Sequence, residues 1–297
     1  MMNRASLFAL AGGIASALLY LMISTGSPGA LVLAYFSQMP LFLVGLGLGL
    51  APAAIACGVA MVSLAAATEF ATAGLFLLLT GLPVLYVVRQ ALLSRQRADG
   101  AVEWYPSGLM LGGLTLYGLA LLAAVIAYYG GAVEEASLRY LMRFAEISGG
   151  KLSPQAEALA RFIPGTVLAS ALLMTVVNGA LAQGALVRMG HPRRPSPIWR
   201  EVRLPRWLAP VLAIAVVAAL VTGEIGTYGI NAAVISTLPF MLVGLAVLHA
   251  VSSRWPARGL ALGLVYATTV ILGWPAIVVA ALGVIDQWIP LRRPQAA

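Results

Sequence analysis

The chain alternates long apolar runs with short segments that contain glycine, proline or charge. Several runs reach the roughly 20 apolar residues that a membrane-crossing helix needs. The approximate bounds of the runs are 5–24, 29–50, 51–68, 71–94, 106–130, 160–189, 207–224, 229–253, 257–272 and 274–290. The pattern predicts an all-α, polytopic transmembrane bundle of about eight to ten spans, forming one domain over residues 1–297. The lower count applies if the runs that meet at Ala51-Pro52 or Gly273-Trp274-Pro275 are single bent helices.

Two polar segments interrupt this pattern, and the first covers about 131–158. Within Val133–Ile147, apolar side chains fall on one helical face and charged ones on another, which predicts an amphipathic helix on the outer membrane surface. A plain connecting loop is the alternative. Ser153-Pro154 then predicts the N-cap and first turn of the next helix.

The second polar segment is an Arg/Pro-rich loop at about 190–206. Its prolines exclude a continuous helix, and they are Pro192, Pro195, Pro197 and Pro205. Its arginines suit contact with anionic lipid headgroups or the docking of a cytoplasmic protein.

The basic residues favour one orientation in the membrane. With the N-terminus in the cytoplasm, 14 of the 18 basic residues fall on the cytoplasmic side, and only Arg139, Arg143, Lys151 and Arg161 fall outside. Such an excess of arginine inside orients membrane proteins. The six tryptophans lie at or beyond the ends of the runs, where indole rings meet the headgroups. Both patterns predict an even number of spans and two cytoplasmic termini.

Composition agrees with a lipid environment. The 297 residues are 61% hydrophobic and 9% charged, with a mean hydropathy of +0.94, whereas soluble proteins carry roughly 25% charged residues. The net charge of +8 lies in clusters between spans, which indicates membrane orientation and not nucleic-acid binding. We therefore predict a multi-pass protein of the inner membrane whose main partner is the lipid bilayer.

Motifs for catalysis or for tightly bound cofactors are missing from the sequence. It contains no Walker-type phosphate loop, no His-Glu-x-x-His helix, no intramembrane Gly-x-Gly-Asp pair and no Gly-x-Ser-x-Gly elbow. Cys57 is the single cysteine, and two histidines do not make a metal cluster. The sequence predicts neither an enzyme, nor a metal site, nor a cofactor.

Polar residues within spans are costly in hydrocarbon and are therefore candidate sites. Glu224, between Gly223 and Gly226, could bind a cation or a proton; a solvated acid at the outer end of a span is the alternative. Gln38, followed by Pro40, and Asn178 could line a polar cavity with it, because proline frees a carbonyl that needs another donor. Hydrogen bonds between helices would also explain them.

Two further polar residues lie near the ends of runs. Asp286 is interpreted as a solvated carboxylate, and Asn231 as a helix cap.

Small residues form a stripe on the first run. Ala9, Gly13 and Ala17 recur at every fourth position, so they share one helix face. Such a stripe serves helix packing within one protein or forms the face for a partner subunit.

The segment Gln38-Met39-Pro40-Leu41-Phe42 leads into Gly45-Leu46-Gly47-Leu48-Gly49, and Trp104-Tyr105-Pro106 precedes the fifth run. With the plan of spans, these residues make the chain resemble the YybS-like family of bacterial membrane proteins. That family is distantly similar to the substrate-binding S components of energy-coupling-factor transporters. The resemblance implies that Ala9, Gly13 and Ala17 would dock a transmembrane partner.

Two functions follow as hypotheses. The first is a transporter-like substrate-binding or permease subunit for a small molecule, with a water-accessible cavity around Gln38, Asn178 and Glu224. The alternative is a non-transporting assembly or interaction protein that docks partners through the outer amphipathic helix and the Arg/Pro-rich loop.

Overall fold

A computed structural model of the chain describes residues 3–147, 150, 153–289 and 291–292. That part of the chain is predominantly helical. Its helices are α1 Arg4–Leu21, α2 Pro28–Tyr35, α3 Gln38–Leu48, α4 Leu50–Ala67, α5 Phe70–Phe76, α6 Leu82–Ala91, α7 Ser107–Tyr129, α8 Val133–Ile147, α9 Pro154–Ala158, α10 Ile163–Arg188, α11 Leu208–Ala219, α12 Glu224–Val251, α13 Arg258–Leu272 and α14 Pro275–Ile285.

Seven helical segments of the described chain are long and apolar enough, by length and composition, to cross a membrane. They are Arg4–Thr25, Gly29–Leu48, Leu50–Ala67, Phe70–Ala91, Ser107–Arg143, Ala160–Arg188 and Glu224–Val251. The apolar helices α11, α13 and α14 are shorter and coincide with the remaining predicted runs. The prediction of an all-α polytopic bundle is confirmed.

Glycine separates the helices at both places where the span count was open. Gly49, with φ of 115°, lies between α3 and α4, and Gly273, with φ of 73°, lies between α13 and α14. A side chain would strain both conformations. Each pair therefore consists of two helices and not of one bent helix.

The polar segments fold largely as their sequences predict. The segment Val133–Ile147 is helical, and α9 begins at Pro154. Between Gly190 and Arg206 the only helical residues are one 3-10 turn, Trp199–Glu201. The outer or inner position of these segments stays a prediction, and Lys151 and Arg293 lie outside the described residues.

A short hairpin after α6 was not predicted. Strand β1, Ser94–Gln96, pairs antiparallel with β2, Val102–Trp104. The Arg95 guanidinium lies 2.8 Å from the Glu103 carboxylate across the pair. Three-residue strands are too short to produce a recognisable alternation in the sequence.

The chain divides into two compact units. The first comprises Met1–Tyr105, Arg139–Glu157 and Ser170–Ser196, and the second comprises Pro106–Leu138, Ala158–Ala169 and Pro197–Ala297. In the first unit α1 packs on α3 and α4, while in the second α12 packs on α7, α11 and α14. The prediction of a single domain over 1–297 remains a prediction.

Candidate functional site

The second span is broken near its middle, between α2 and α3. Pro40 has no N–H to offer the carbonyl of Phe36, and the Met39 N–H bonds that oxygen instead, at 3.0 Å. Met39 would serve the Tyr35 carbonyl in a regular helix. The break therefore leaves the oxygen of Tyr35 to a donor from elsewhere.

Side chains from two other helices supply donors at this break. Asn178 of α10 donates its Nδ2 to the Tyr35 oxygen at 2.8 Å, and also to the Met174 oxygen at 2.8 Å. Ser16 of α1 donates to the Ser37 oxygen at 2.7 Å. Helix breaks at membrane depth are tolerated where such side chains satisfy the freed carbonyls.

A second irregular turn lies beside the break. The residues Leu77–Gly81, between α5 and α6, form a π-helical turn. Pro83 cannot donate to the Leu79 carbonyl four residues earlier, and the Nε2 of Gln38 reaches that oxygen at 3.4 Å. Gln38 thus joins the broken second span to the π-helical turn of the fourth. Such turns are frequent at functional sites.

Two acceptor atoms in this cluster lack a partner among the described residues. They are the Oε1 of Gln38 and the Oδ1 of Asn178, on side chains that are 4% and 0% exposed. An unbonded polar atom of this kind costs roughly 1–3 kcal/mol. Each amide nitrogen faces a carbonyl oxygen, so neither amide can be turned round without placing oxygen against oxygen. The free atoms are therefore acceptors.

This polar break, which we define as Ser16, Ser37, Gln38 and Asn178 with the carbonyls of Tyr35 and Leu79, lies within the first unit. It brings together two of the three residues that the sequence predicts as binding residues. Its free oxygens can accept hydrogen bonds from a solute or coordinate a cation.

Glu224, the third predicted binding residue, belongs to the second unit. It is the first residue of α12 and is exposed. Its Oε2 accepts a hydrogen bond from the Tyr228 hydroxyl at 3.1 Å, and that hydroxyl also lies 3.1 Å from the Gly130 carbonyl oxygen. The structure does not link Glu224 to the polar break, and a binding role for it stays a prediction.

Asn231, also in the second unit, has a side-chain amide whose oxygen and nitrogen both form hydrogen bonds. Its Oδ1 accepts from the Gly165 N–H at 2.6 Å, which caps the start of α10. Its Nδ2 donates to the carbonyls of Arg161 and Thr227, both at 2.7 Å. The sequence-based interpretation of Asn231 as a cap at the start of its own span is wrong, because α12 begins at Glu224 and Asn231 lies inside it; its side chain caps α10 instead.

The Arg/Pro-rich loop is fastened to the first unit by one buried arginine. Arg194 donates to the Ala91 oxygen at the end of α6 at 3.1 Å, and its guanidinium lies 5.7 Å from the Trp104 ring centroid. Burial lowers the pKa of Arg194 from its usual value, but a guanidinium remains charged at physiological pH. Arg194 therefore has a structural role within the protein, and its presence in the loop does not require a lipid or a docking partner.

The small-residue stripe is buried inside the first unit. Ala9 and Ala17 are 0% and 2% exposed. A Cβ on Gly13 would lie 2.8 Å from the Cβ of Val59 on α4. The face that would take a partner subunit is thus covered by the chain itself.

A second sequence-based interpretation is also wrong. Asp286, expected to be solvated, has a side chain that is only 5% exposed and pairs with Arg292 at 2.6 Å. The chain folds back after α14, so that a residue near a span end becomes enclosed.

Sequence reasoning also missed Ser16 and Pro83. A search for the carbonyl four residues before each intramembrane proline would have found Leu79.

Comparison with known protein families places the chain in a family of membrane proteins. A family model described as Predicted membrane protein (DUF2232) matches residues 13–287. No curated protein and no solved structure matches the chain significantly.

Proposed function

The chain belongs to the DUF2232 family of predicted membrane proteins, and from this premise we propose that it is a transporter-like membrane subunit that binds a small molecule at the polar break. It is a multi-pass membrane protein whose apolar helices contact the lipid bilayer. Residence in the inner membrane is part of the proposal.

The observation that carries the proposal is the pair of buried, unbonded amide oxygens beside a broken span. Membrane transporters commonly bind substrates near the bilayer midplane at interrupted helices, whose freed backbone groups and nearby polar side chains form the site. Packing alone would be served by fully bonded amides, as at Asn231. The two free acceptors favour a ligand.

The finer relationship to the YybS-like family and to S components of energy-coupling-factor transporters remains part of the proposal. An S component would need a membrane partner to supply energy. Because Ala9, Gly13 and Ala17 are buried against the chain's own helices, such a partner would bind another face of this protein.

Thiol labelling tests whether water reaches the polar break. Cys57 is the only cysteine, so Cys57→Ala gives a background without thiols. In this background Gln38→Cys should react with a small water-soluble methanethiosulfonate reagent in membrane vesicles. The substitution removes a single hydrogen bond of 3.4 Å, so the fold should tolerate it.

Leu41→Cys is the matched control, because Leu41 is 0% exposed and lies on the same helix one turn further along. Ala98→Cys, in the exposed hairpin turn, gives the rate for full access. Gln38→Cys should react at least tenfold faster than Leu41→Cys. Equal rates at positions 38 and 41 would contradict a specific site and favour the alternative, a non-transporting assembly protein.

A further inference from the structure

We propose that the polar break selects an uncharged solute that carries at least two N–H or O–H donors, such as an amide or a heterocycle with ring N–H groups. This inference rests on the proposed function, because it names the ligand class of the same site. It follows from which atoms are free, which charges are nearby and where the break lies in the span.

The free side-chain atoms can only accept hydrogen bonds. The Nδ2 of Asn178 donates both of its hydrogens, to the oxygens of Tyr35 and Met174, and the Nε2 of Gln38 donates one of its two to the oxygen of Leu79. The Ser16 hydroxyl donates its proton to the Ser37 oxygen. A carboxylate or phosphate would meet two free oxygen atoms and no positively charged side chain of the polar break, so the site disfavours anions.

Cations are disfavoured for a different reason. Every residue of the polar break is uncharged, and no carboxylate hydrogen-bonds to it in the described chain. An ion transferred to a low-dielectric interior needs a counter-charge or a complete set of ligands to offset its lost hydration. Two amide oxygens supply neither. A neutral molecule loses much less hydration, and its donors satisfy both free acceptors.

Both acceptors belong to side chains at the same break. Asn178 bonds to Tyr35 at the start of the break, and Gln38 is the first residue after it. The ring of Phe42, one turn beyond Gln38, is fully buried and contacts α10 at Gly179. Two free acceptors and a buried aromatic ring on the same two helices suit a small, flat solute.

Pairs of solutes that differ only in their N–H groups test the ligand class. The full-length protein, purified in mild detergent, is heated with 2-imidazolidinone or with its N,N′-dimethyl derivative, which has the same ring and carbonyl but no donor. Ammonium and tetramethylammonium chloride form the cation pair, and sodium acetate is the anion probe. The melting temperature should rise by roughly 2–4 °C with 2-imidazolidinone alone.

Substitutions test whether the rise in melting temperature comes from binding at the polar break. Gln38→Met removes one free acceptor while keeping the side-chain length, and it should abolish most of the rise. Asn178→Leu removes the other acceptor together with two hydrogen bonds of 2.8 Å, whereas Gln38→Met removes one of 3.4 Å. Gln38→Met is therefore the primary variant. Asn231→Leu is the matched control: its amide is equally buried but fully bonded in the second unit, and the rise should persist there.

Three results would overturn the inference. Stabilisation by ammonium without stabilisation by 2-imidazolidinone would make the break a cation site. Equal stabilisation by the two imidazolidinones would show a solvent effect without donor recognition. No stabilisation by any probe, with Gln38→Cys still reactive toward the thiol reagent, would reject the ligand class and leave the proposed function standing. An unreactive Gln38→Cys would instead remove the proposed function and this inference together.

Discussion

Asp286 and Arg292, near the end of the second unit, form a buried charge pair. Arg292 bonds the Asp286 carboxylate through its Nε at 2.9 Å and also donates to the carbonyls of Trp199 and Val202. The second carboxylate oxygen accepts the Leu291 N–H at 3.1 Å. One arginine therefore ties the residues after α14 to the end of the Arg/Pro-rich loop.

Removing the arginine alone should be more harmful than removing both partners. Arg292→Met leaves the Asp286 carboxylate enclosed without its cation, and we expect a loss of about 3–5 kcal/mol in the free energy of unfolding. The double variant Asp286→Leu with Arg292→Met leaves no buried charge and should recover most of that loss. Chemical denaturation in detergent would measure both.

Arg200→Met is the control. Arg200 lies in the Arg/Pro-rich loop that Arg292 contacts, but its side chain is exposed, so the substitution should change the free energy of unfolding little. A double variant as unstable as Arg292→Met would contradict this account. The bonds to Trp199 and Val202 would then be the main contribution of the arginine.

Residue identity was easier to predict than residue pairing. Gln38, Pro40 and Asn178 stand out in the sequence because polar groups and proline are costly in a span. The donors that serve Tyr35 and Leu79 could not be predicted, since they come from helices distant in the chain. Asp286 was misjudged for the same reason: its partner becomes close only after the chain turns back.

At the scale of elements, helix positions followed from hydropathy, whereas interruptions within helices did not. The run 29–50 contains a break, and the run 71–94 contains a π-helical turn, yet hydropathy gives each as one continuous run. An apolar run indicates which residues are compatible with lipid. It does not indicate which carbonyls lose their hydrogen-bond donors, because this loss depends on the prolines at positions 40 and 83 and on neighbouring helices.

Close packing of α1 on α4 gives a prediction at this scale. A methyl group at Gly13 would come within 2.8 Å of the Val59 Cβ and would also collide with the Ala56 carbonyl. Gly13→Ala should therefore lower the free energy of unfolding by about 1–3 kcal/mol through overpacking. Gly58→Ala is the matched control on α4, because no atom lies within 4 Å of its added Cβ.

Gly58→Ala should be neutral or slightly stabilising, since alanine is the better helix former. Thermal unfolding of both variants in the same detergent makes the comparison direct. Equal stability of the two variants would mean that α1 does not pack against α4 through this stripe, and the stripe would again be open to a partner.

At the scale of the whole molecule, sidedness rests on the arginine distribution. In the Cys57→Ala background, an impermeant maleimide applied to intact cells should label Glu134→Cys and should leave Ala98→Cys and Ser196→Cys unlabelled. Those two positions should react only after the membrane is opened. Labelling of Ala98→Cys in intact cells would contradict the predicted orientation.

The short helices decide the number of spans. At 1.5 Å per residue, the 15 residues of α13 and the 11 of α14 extend about 22 and 16 Å, less than the roughly 30 Å hydrocarbon core. Only Gly273 and Trp274 separate them, so their connection adds little reach. The 12-residue helix α11 extends about 18 Å, and a turn at residues 220–223 joins it to α12. We expect α11 to cross paired with α12, because two cytoplasmic termini require an even number of spans.

We therefore expect the α13–α14 hairpin to enter the membrane and return on the cytoplasmic side, which gives eight spans. Trp274→Cys, at the tip of the hairpin, should stay unlabelled by the impermeant maleimide in intact cells, while Glu134→Cys in the same background is labelled. Labelling at position 274 as fast as at 134 would show that both helices cross and that the count is ten. A hairpin adds either two crossings or none, so the termini share one side in both cases, and the arginine distribution could not distinguish them.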